Sequence, residues 1–253
     1  MLIFVLNAGS SSLKYQLIDI KSKELKASGL VERIGIDGIL KHEIGENKKL
    51  TFELPIPTHK EAIELVLRIL TNNETKVINS IDEIKAIGHR VVHGGEYFKG
   101  SAIVDDEVIR KIEELIPLAP LHNPANILGV KICKDLMPKV PNVVTFDTAF
   151  HQTMPMENFL YAVPYADYTE HHLRKYGFHG TSHYYVSQEA IKLLNKKDSK
   201  VIVCHLGNGS SVCAVKDGKS ISTSMGLTPL EGLVMGTRSG DIDAGVIPYL
   251  MEK

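Results

Sequence analysis

No apolar run in this 253-residue sequence approaches the roughly 18 residues that cross a bilayer, and the opening run Leu2 to Leu6 lacks the basic flank of a secretory signal. Net charge is also missing. The 29 basic and 30 acidic side chains leave a formal charge of −1, so no global field gathers nucleic acid or an anionic membrane. Any anion must be held locally; neither nucleic acid nor membrane is an expected partner, and the expected location is cytoplasmic. Cysteine is sparse. Cys133, Cys204 and Cys213 make an odd number without Cys-x-x-Cys spacing, and are read as reduced core residues rather than disulfide partners or metal ligands. Arginine is sparse relative to lysine, with six among 29 cations: Arg33, Arg68, Arg90, Arg110, Arg174 and Arg238. Lysine does the solubilising, so each arginine raises the question of which bidentate partner it serves.

What is present is an ordinary globular composition, 43% hydrophobic and 23% charged, in a length that fits one large domain or two modest ones. The first 54 residues read as a β-meander: Leu2 to Leu6, Lys14 to Ile20, then Ile39 to Ile44 and Lys49 to Leu54 around a polar turn at Glu46-Asn47. Thr58 and Glu61 have capping-box spacing, and Ala62, Ile63, Val66, Leu67 and Leu70 follow at helical spacing to about Thr71. Lys85 to His93 reads as a strand, Asp105 to Ile116 as a helix, Asn123-Pro124 as an N-cap with proline behind it, and Asn142 to Phe146 as a buried strand. Strands alternating with helices after the meander predict an α/β domain over residues 1–150, with a second over 151–253.

The clearest organising signal is internal. Asn7-Ala8-Gly9-Ser10-Ser11 follows the apolar run Leu2 to Leu6, and Gly207-Asn208-Gly209-Ser210-Ser211 follows Val201 to Leu206, at an offset of 200 residues. Each leads into a second β-rich stretch, and the later copy turns at Lys216-Asp217-Gly218-Lys219. The period is too long for a solenoid, so two related domains each presenting a polar turn is the economical reading; two unrelated Gly-Ser turns is the other. From Gly9 to Asp147 is 138 residues, whereas 44 follow Gly209, so the second domain is expected to be incomplete.

Gly-Ser turns offer small side chains, backbone N–H groups and hydroxyls, which suit phosphate. The first is not a Walker A loop, because the spacing to Gly-Lys-Ser/Thr is absent. Arg90 lies on a predicted strand between glycines and Arg238 in the Gly-rich loop Gly236 to Gly240; two guanidinium forks could hold a phosphoryl group in transit, or each could serve a structural ion pair. Nine of the 11 histidines fall between His89 and His205. His179 and His183 are four apart, but Gly180-Thr181-Ser182 reads as a helix start, so the pair is not expected to share a face or hold zinc; phosphate donors fit them better. Asp147, ending a buried strand, is a candidate to orient hydrated Mg²⁺ or to cap the next segment. Asp241 and Asp243 are read as helix caps.

Five stretches together, Asn7 to Lys14, His89 to Gly95, Phe146 to His151, Tyr176 to His183 and Gly236 to Gly240, resemble the acetate and propionate kinase family over the whole chain. The resemblance implies an α/β fold of duplicated actin-like, ribonuclease H-like ATPase domains, the second incomplete here. It implies reversible, Mg²⁺-dependent phosphoryl transfer between ATP and acetate, giving ADP and acetyl phosphate, in a homodimer. By the same resemblance, Arg90 and Arg238 orient acetate and neutralise the moving phosphoryl, assisted by His179 and His122. Asn7 and Asp147 position the metal or its waters. Ser10, Ser12, Lys14, His205, Leu206, Gly207, Asn208 and Gly209 line the nucleotide phosphates, and Val92, Leu121, Phe178 and Pro229 wall the acetate methyl. Family members continue beyond the part matching Ile247 to Lys253, where the resemblance places adenosine contacts and a further metal ligand. The expectation is therefore a truncated kinase with negligible turnover. Other readings are a propionate or butyrate kinase, a non-catalytic phosphate or partner binder, and an actin-like filament or chaperone ATPase.

Overall fold

The computed structural model describes residues 1–45, 48–196 and 198–253, so the turn placed at Glu46-Asn47 lies outside the described residues. The chain folds as two compact units, Met1–His93 with Ser101–Thr145, and Gly94–Gly100 with Phe146–Lys253.

In the first unit, strands β1 (Leu2–Ala8), β2 (Leu13–Asp19), β3 (Glu24–Glu32), β4 (Ile39–Ile44) and β5 (Lys48–Glu53) form an antiparallel meander. Helix α1 (His59–Thr71) leads to β6 (Ile84–Val91), which pairs parallel to β1. The short β7 (Ala102–Ile103), helices α2 (Asp106–Glu114) and α3 (Asn123–Leu136), and β8 (Asn142–Phe146) complete a sheet of order β5-β4-β3-β2-β1-β6-β8-β7. Alternation explains which face is covered: Phe4, Leu6 and Ala8 of β1 and Leu13, Tyr15 and Leu17 of β2 are buried, and α1 packs Ala62, Ile63, Val66, Leu67 and Leu70 into the same core. Gly129 lets α3 close on β1, since a Cβ there would stand 3.1 Å from that of Ala8.

Sequence patterning overlooked β3. Its run Glu24-Leu25-Lys26-Ala27-Ser28-Gly29-Leu30-Val31-Glu32 is weakly apolar and interrupted by glycine. Gly29 has a packing reason: a Cβ would come within 2.5 Å of the Tyr15 ring and of the Lys41 carbonyl. Thr58 caps α1 by accepting from Lys60 N at 3.1 Å, with its hydroxyl bonded to Glu61. A full capping box forms instead at Ser80 and Glu83, before β6.

In the second unit, α4 (Met156–Phe159) and α5 (Tyr165–His171) precede α6 (Gly180–Leu194) and an antiparallel sheet, β9 (Lys200–Leu206), β10 (Ser210–Lys216) and β11 (Lys219–Thr223), in the order β11-β10-β9. Asp217 and Gly218, at φ of +51° and +78°, make the two-residue β10–β11 turn. Helix α7 (Val246–Met251) follows a long loop segment. Gly94–Gly100 is tied to this unit by Gly94 N donating to Thr148 Oγ1 at 3.0 Å and by Phe98 stacking on Phe146 at 4.1 Å. Arg174 completes the tie: buried over the Phe159 ring at 3.7 Å, it donates to Glu96 at 2.7 Å. Arg174 and the exposed Arg33 and Arg110 thus serve carboxylates. Among the described residues no helix is long and apolar enough to cross a membrane.

Candidate active site

Each unit carries one strand, Gly-Ser turn, strand hairpin. In the first, Ala8 pairs with Leu13 and the turn closes by Gly9 N donating to Ser12 O at 2.8 Å. His59, at the start of α1, lies 2.7 Å from the Gly9 carbonyl through Nε2 and so braces the turn. Asn7 and Lys14 face one another across β1 and β2, with Ser10 exposed on the turn between them. Leu6 is in register with His89, which places Arg90 at the end of β6 beside Asn7; the Arg90 side chain is exposed.

Two asparagines hold this end of the sheet. Asn126 on α3 donates to Ala8 O at 2.8 Å and accepts from Val92 N at 3.0 Å, joining the ends of β1 and β6. Asn123 accepts from His93 N and donates to His93 O, both at 3.1 Å. Asn123 was expected as an N-cap, but His122 occupies that position and Asn123 is the first helical residue. Its amide satisfies a buried strand end instead, a tertiary demand that local spacing does not display. Val92 is buried, whereas Leu121 is 78% exposed within this unit.

The second unit gathers more of the expected residues. Asn208 O accepts from Gly236 N at 3.1 Å, which folds the Arg238 loop onto the β9–β10 turn. A Cβ on Gly209 would stand 3.5 Å from His179 Nε2 and 3.6 Å from Arg238 Nη1, so an imidazole and a guanidinium flank the same glycine. Arg238 Nη1 also donates to Pro229 O at 2.9 Å. His205 stacks on His179 with centroids 4.0 Å apart and lies 2.9 Å from Ser182 Oγ through Nδ1. Asp147, 2% exposed at the end of β8, is adjacent because its carbonyl accepts from Gly180 N at 2.8 Å. Gly180 is required there, since a Cβ would meet that carbonyl at 2.2 Å.

The N-cap position of the turn Ala149–Thr153 is held by Thr148, whose own side chain makes no cap bond. Asp241 accepts from Gly232 N at 2.7 Å and ties a loop, while Asp243 accepts from Gly245 N at 2.8 Å ahead of α7. Phe178 is buried and its carbonyl lies 3.0 Å from His151 Nε2. Leu206 is 71% exposed, and Cys204 on the same strand is exposed rather than in the core, since β9 turns alternate residues outward. Cys133 and Cys213 are buried as expected, and all three thiols are free.

His179 precedes the helix that begins at Gly180, so it shares no helical face with His183, yet both rings reach one hydroxyl. His179 is the N-cap of α6 with a left-handed backbone, φ +58° and ψ +19°, and its Nδ1 lies 2.9 Å from Ser211 Oγ; His183 Nε2 lies 2.7 Å from the same hydroxyl. The left-handed backbone at His179 turns its ring towards the hydroxyl that His183 contacts. Burial pushes His151 down to about 4 and His183 down to about 3, so both stay neutral near pH 7. Among the described residues no three His, Cys, Asp or Glu side chains gather as a metal cage.

Paired Gly-Ser hairpins, one in each unit of a mixed α/β chain, define the actin-like α/β class. The chain matches the Acetokinase family over residues 2–253, and it belongs to that family. It is 57% identical over 256 residues to the acetate kinase of Caldanaerobacter subterraneus subsp. tengcongensis and 58% identical to that of Treponema denticola. Both alignments cover all of this chain and 64% of the relative. The crystal structure of Porphyromonas gingivalis acetate kinase superposes with a TM-score of 0.95 at 47% identity, covering 99% of this chain and 64% of that one. A propionate kinase from Francisella tularensis superposes with a TM-score of 0.92, also at 47% identity, covering 100% of this chain and 64% of that one. This chain therefore spans about 64% of the length of the curated relatives it matches.

Proposed function

We propose that this chain supplies phosphoryl-transfer machinery of an acetate kinase, passing the γ-phosphoryl of ATP to a carboxylate oxygen of acetate and back. The observation that carries the reading is the meeting of His179 and Arg238 at Gly209, on the turn between β9 and β10. Backbone N–H groups of such a turn, an imidazole and a guanidinium are the donors a phosphoryl group needs as its charge spreads over three oxygens. In this reading the two units are two phosphate-holding domains. Arg238 and Arg90 neutralise the group in transit and orient acetate, with His179 and His122 donating to oxygens. Ser10, Ser12, Lys14, His205, Leu206, Gly207, Asn208 and Gly209 border the nucleotide phosphates. Val92, Phe178 and Pro229 exclude water from the methyl; Leu121, the fourth expected wall, is the exposed member.

Asp147 fits a divalent cation by its chemistry, being a carboxylate 2% exposed at a strand end, and Mg²⁺ asks for only one or two carboxylates beside phosphate and water. Asp147 and Asn7 would hold Mg²⁺ or its waters, and the ion would offset phosphate charge. ADP or ATP, acetate or acetyl phosphate, a homodimeric assembly and a cytoplasmic location complete the proposal on the strength of the resemblance. The likeness to a solved propionate kinase supports a second reading, propionate as the acceptor.

A hydroxamate assay for acyl phosphate, run with ATP, Mg²⁺ and acetate, propionate or butyrate, tests the proposal. In a version extended to the length of the relatives, Arg238→Ala is expected to lower turnover by about 10³- to 10⁵-fold, as for arginines that meet phosphoryl charge mainly in the transition state. Acyl phosphate formation retained by that variant would remove Arg238 from the mechanism.

A further inference from the structure

We infer that Ser211 and His183 are positioning residues that hold His179 in one tautomer. His183 Nε2–H donates to Ser211 Oγ, whose own proton is donated to His179 Nδ1, leaving the His179 proton on Nε2, the atom that lies against Gly209 beside Arg238. The significance of that donor rests on the phosphate reading of the turn, but the proton arrangement itself does not.

The argument starts from one hydroxyl between two rings. Ser211, fully buried on β10, has Oγ 2.7 Å from His183 Nε2 and 2.9 Å from His179 Nδ1. A hydroxyl owns one proton and can donate to only one of them, so the other ring must bring its own. If both rings donated to Oγ, the buried Ser211 proton would have no acceptor, since the two rings are its partners. Two arrangements then remain, and they assign opposite tautomers to His179.

His183 decides between them. It is fully buried, and its Nδ1 has no hydrogen-bond partner. A proton on that nitrogen would be a buried donor with nothing to accept it, whereas a bare Nδ1 leaves only an unused lone pair. Orphaned buried N–H groups are the rarer and costlier of the two. The His183 proton therefore sits on Nε2 and goes to Ser211. The ring does not carry both protons, because burial and the neighbouring His151, His179 and His205 rings, with centroids 5.6, 6.5 and 6.3 Å away, all disfavour the cation. Which imidazole nitrogen is protonated follows from the bond that the other makes, so His179 becomes a donor at Nε2. Its left-handed backbone is fixed by Gly180 N donating to Asp147 O and by His183 N donating to His179 O at 3.0 Å, which aims the ring as well as charging its edge.

The test reads protons directly. In the full 253-residue chain with ¹⁵N-labelled histidine, long-range ¹H–¹⁵N spectra near pH 7.5 are expected to show His179 and His183 both protonated on Nε2 and bare on Nδ1. Ser211→Ala is expected to abolish the single His179 tautomer, and Ser211→Thr, which keeps a hydroxyl, to restore it. His179 protonated on Nδ1 in the wild-type chain overturns the inference without recourse to any variant, and so does an unchanged His179 tautomer in a folded Ser211→Ala chain. Titration with inorganic phosphate separates the two layers. If the tautomers behave as stated but phosphate leaves the His179 signals unmoved, the relay stands and the phosphate reading fails.

Discussion

Acid should destabilise this protein well above the pH at which carboxylates protonate, because its buried histidines fold neutral. His89, whose Nε2 lies 2.7 Å from Asn142 Oδ1, and His93 are buried in the first unit; His151 and His183 are buried in the second. Burial pushes His89, His93 and His151 down to about 4 and His183 down to about 3, and moves His42 in the same direction. An unfolded histidine titrates near 6.5. Between pH 6.5 and 4 the unfolded chain therefore binds protons that the native chain refuses, and stability rises with pH across that window. The full contribution is present above 6.5 and is lost as pH falls towards the folded values. Each refused proton gives a slope of about 1.4 kcal/mol per pH unit, so two histidines give about 2.7 kcal/mol per pH unit for either unit. Carboxylates held low, such as Glu96 beside Arg174, add their share mainly below pH 4.5, which leaves pH 5 to 6 as the histidine window. Urea midpoints followed by circular dichroism at half-unit steps measure the slope. His89→Gln, which can still bond Asn142 but cannot titrate, is expected to remove about 1.4 kcal/mol per pH unit from the first unit. Midpoints flat between pH 5 and 6, or a His89→Gln slope equal to wild type, would refute the reasoning.

Three other outcomes follow from the packing. In the proposed kinase, Val92→Ala should shift the propionate to acetate ratio of kcat/KM by roughly 10-fold, since a methylene is worth about 1 to 3 kcal/mol; an unchanged ratio removes Val92 from the pocket wall. Asn126→Ala strips Ala8 O and Val92 N of their buried partner and should cost at least about 2 kcal/mol, measured as faster amide exchange at the ends of β1 and β6. A thiol reagent near pH 8 should label Cys204 quickly and all three cysteines only in denaturant, because burial pushes Cys133 up to about 12 and Cys213 up to about 11; rapid native labelling of either would contradict the packing.

Local signals were legible and tertiary ones were not. The paired hairpins, α1, α2 and α6 follow from alternation, caps and Gly-Ser turns, all of which act within a few residues. β3 was not legible because its alternation is diluted by Ala27, Ser28 and Gly29, whose small size answers to Tyr15 on the neighbouring strand. The roles of Asn123, Asn126, His59 and Ser211 were also hidden, since each side chain bonds a partner at least 28 residues away. The left-handed residue that makes the His179 and His183 rings converge leaves no trace in their spacing.

The seven-residue excursion Gly94–Gly100 has a practical bearing on how this polypeptide can be dissected. Neither unit is a continuous stretch, because the backbone passes between them after His93, after Gly100 and after Thr145. A protease nick at any one of these passages leaves the pieces threaded through at least one other. Expressing residues 146–253 alone would deprive the Phe146 ring of Phe98 and leave the Arg174 guanidinium, 3% exposed, without the Glu96 carboxylate, a burial that costs several kcal/mol when one partner is missing. Expressing 1–145 alone would in turn carry Glu96 and Phe98 with nothing of their own unit to hold. During synthesis the same threading means that Gly94–Gly100 leaves the ribosome about fifty residues before the segment it packs against, and stays unanchored until Phe146 and Arg174 emerge.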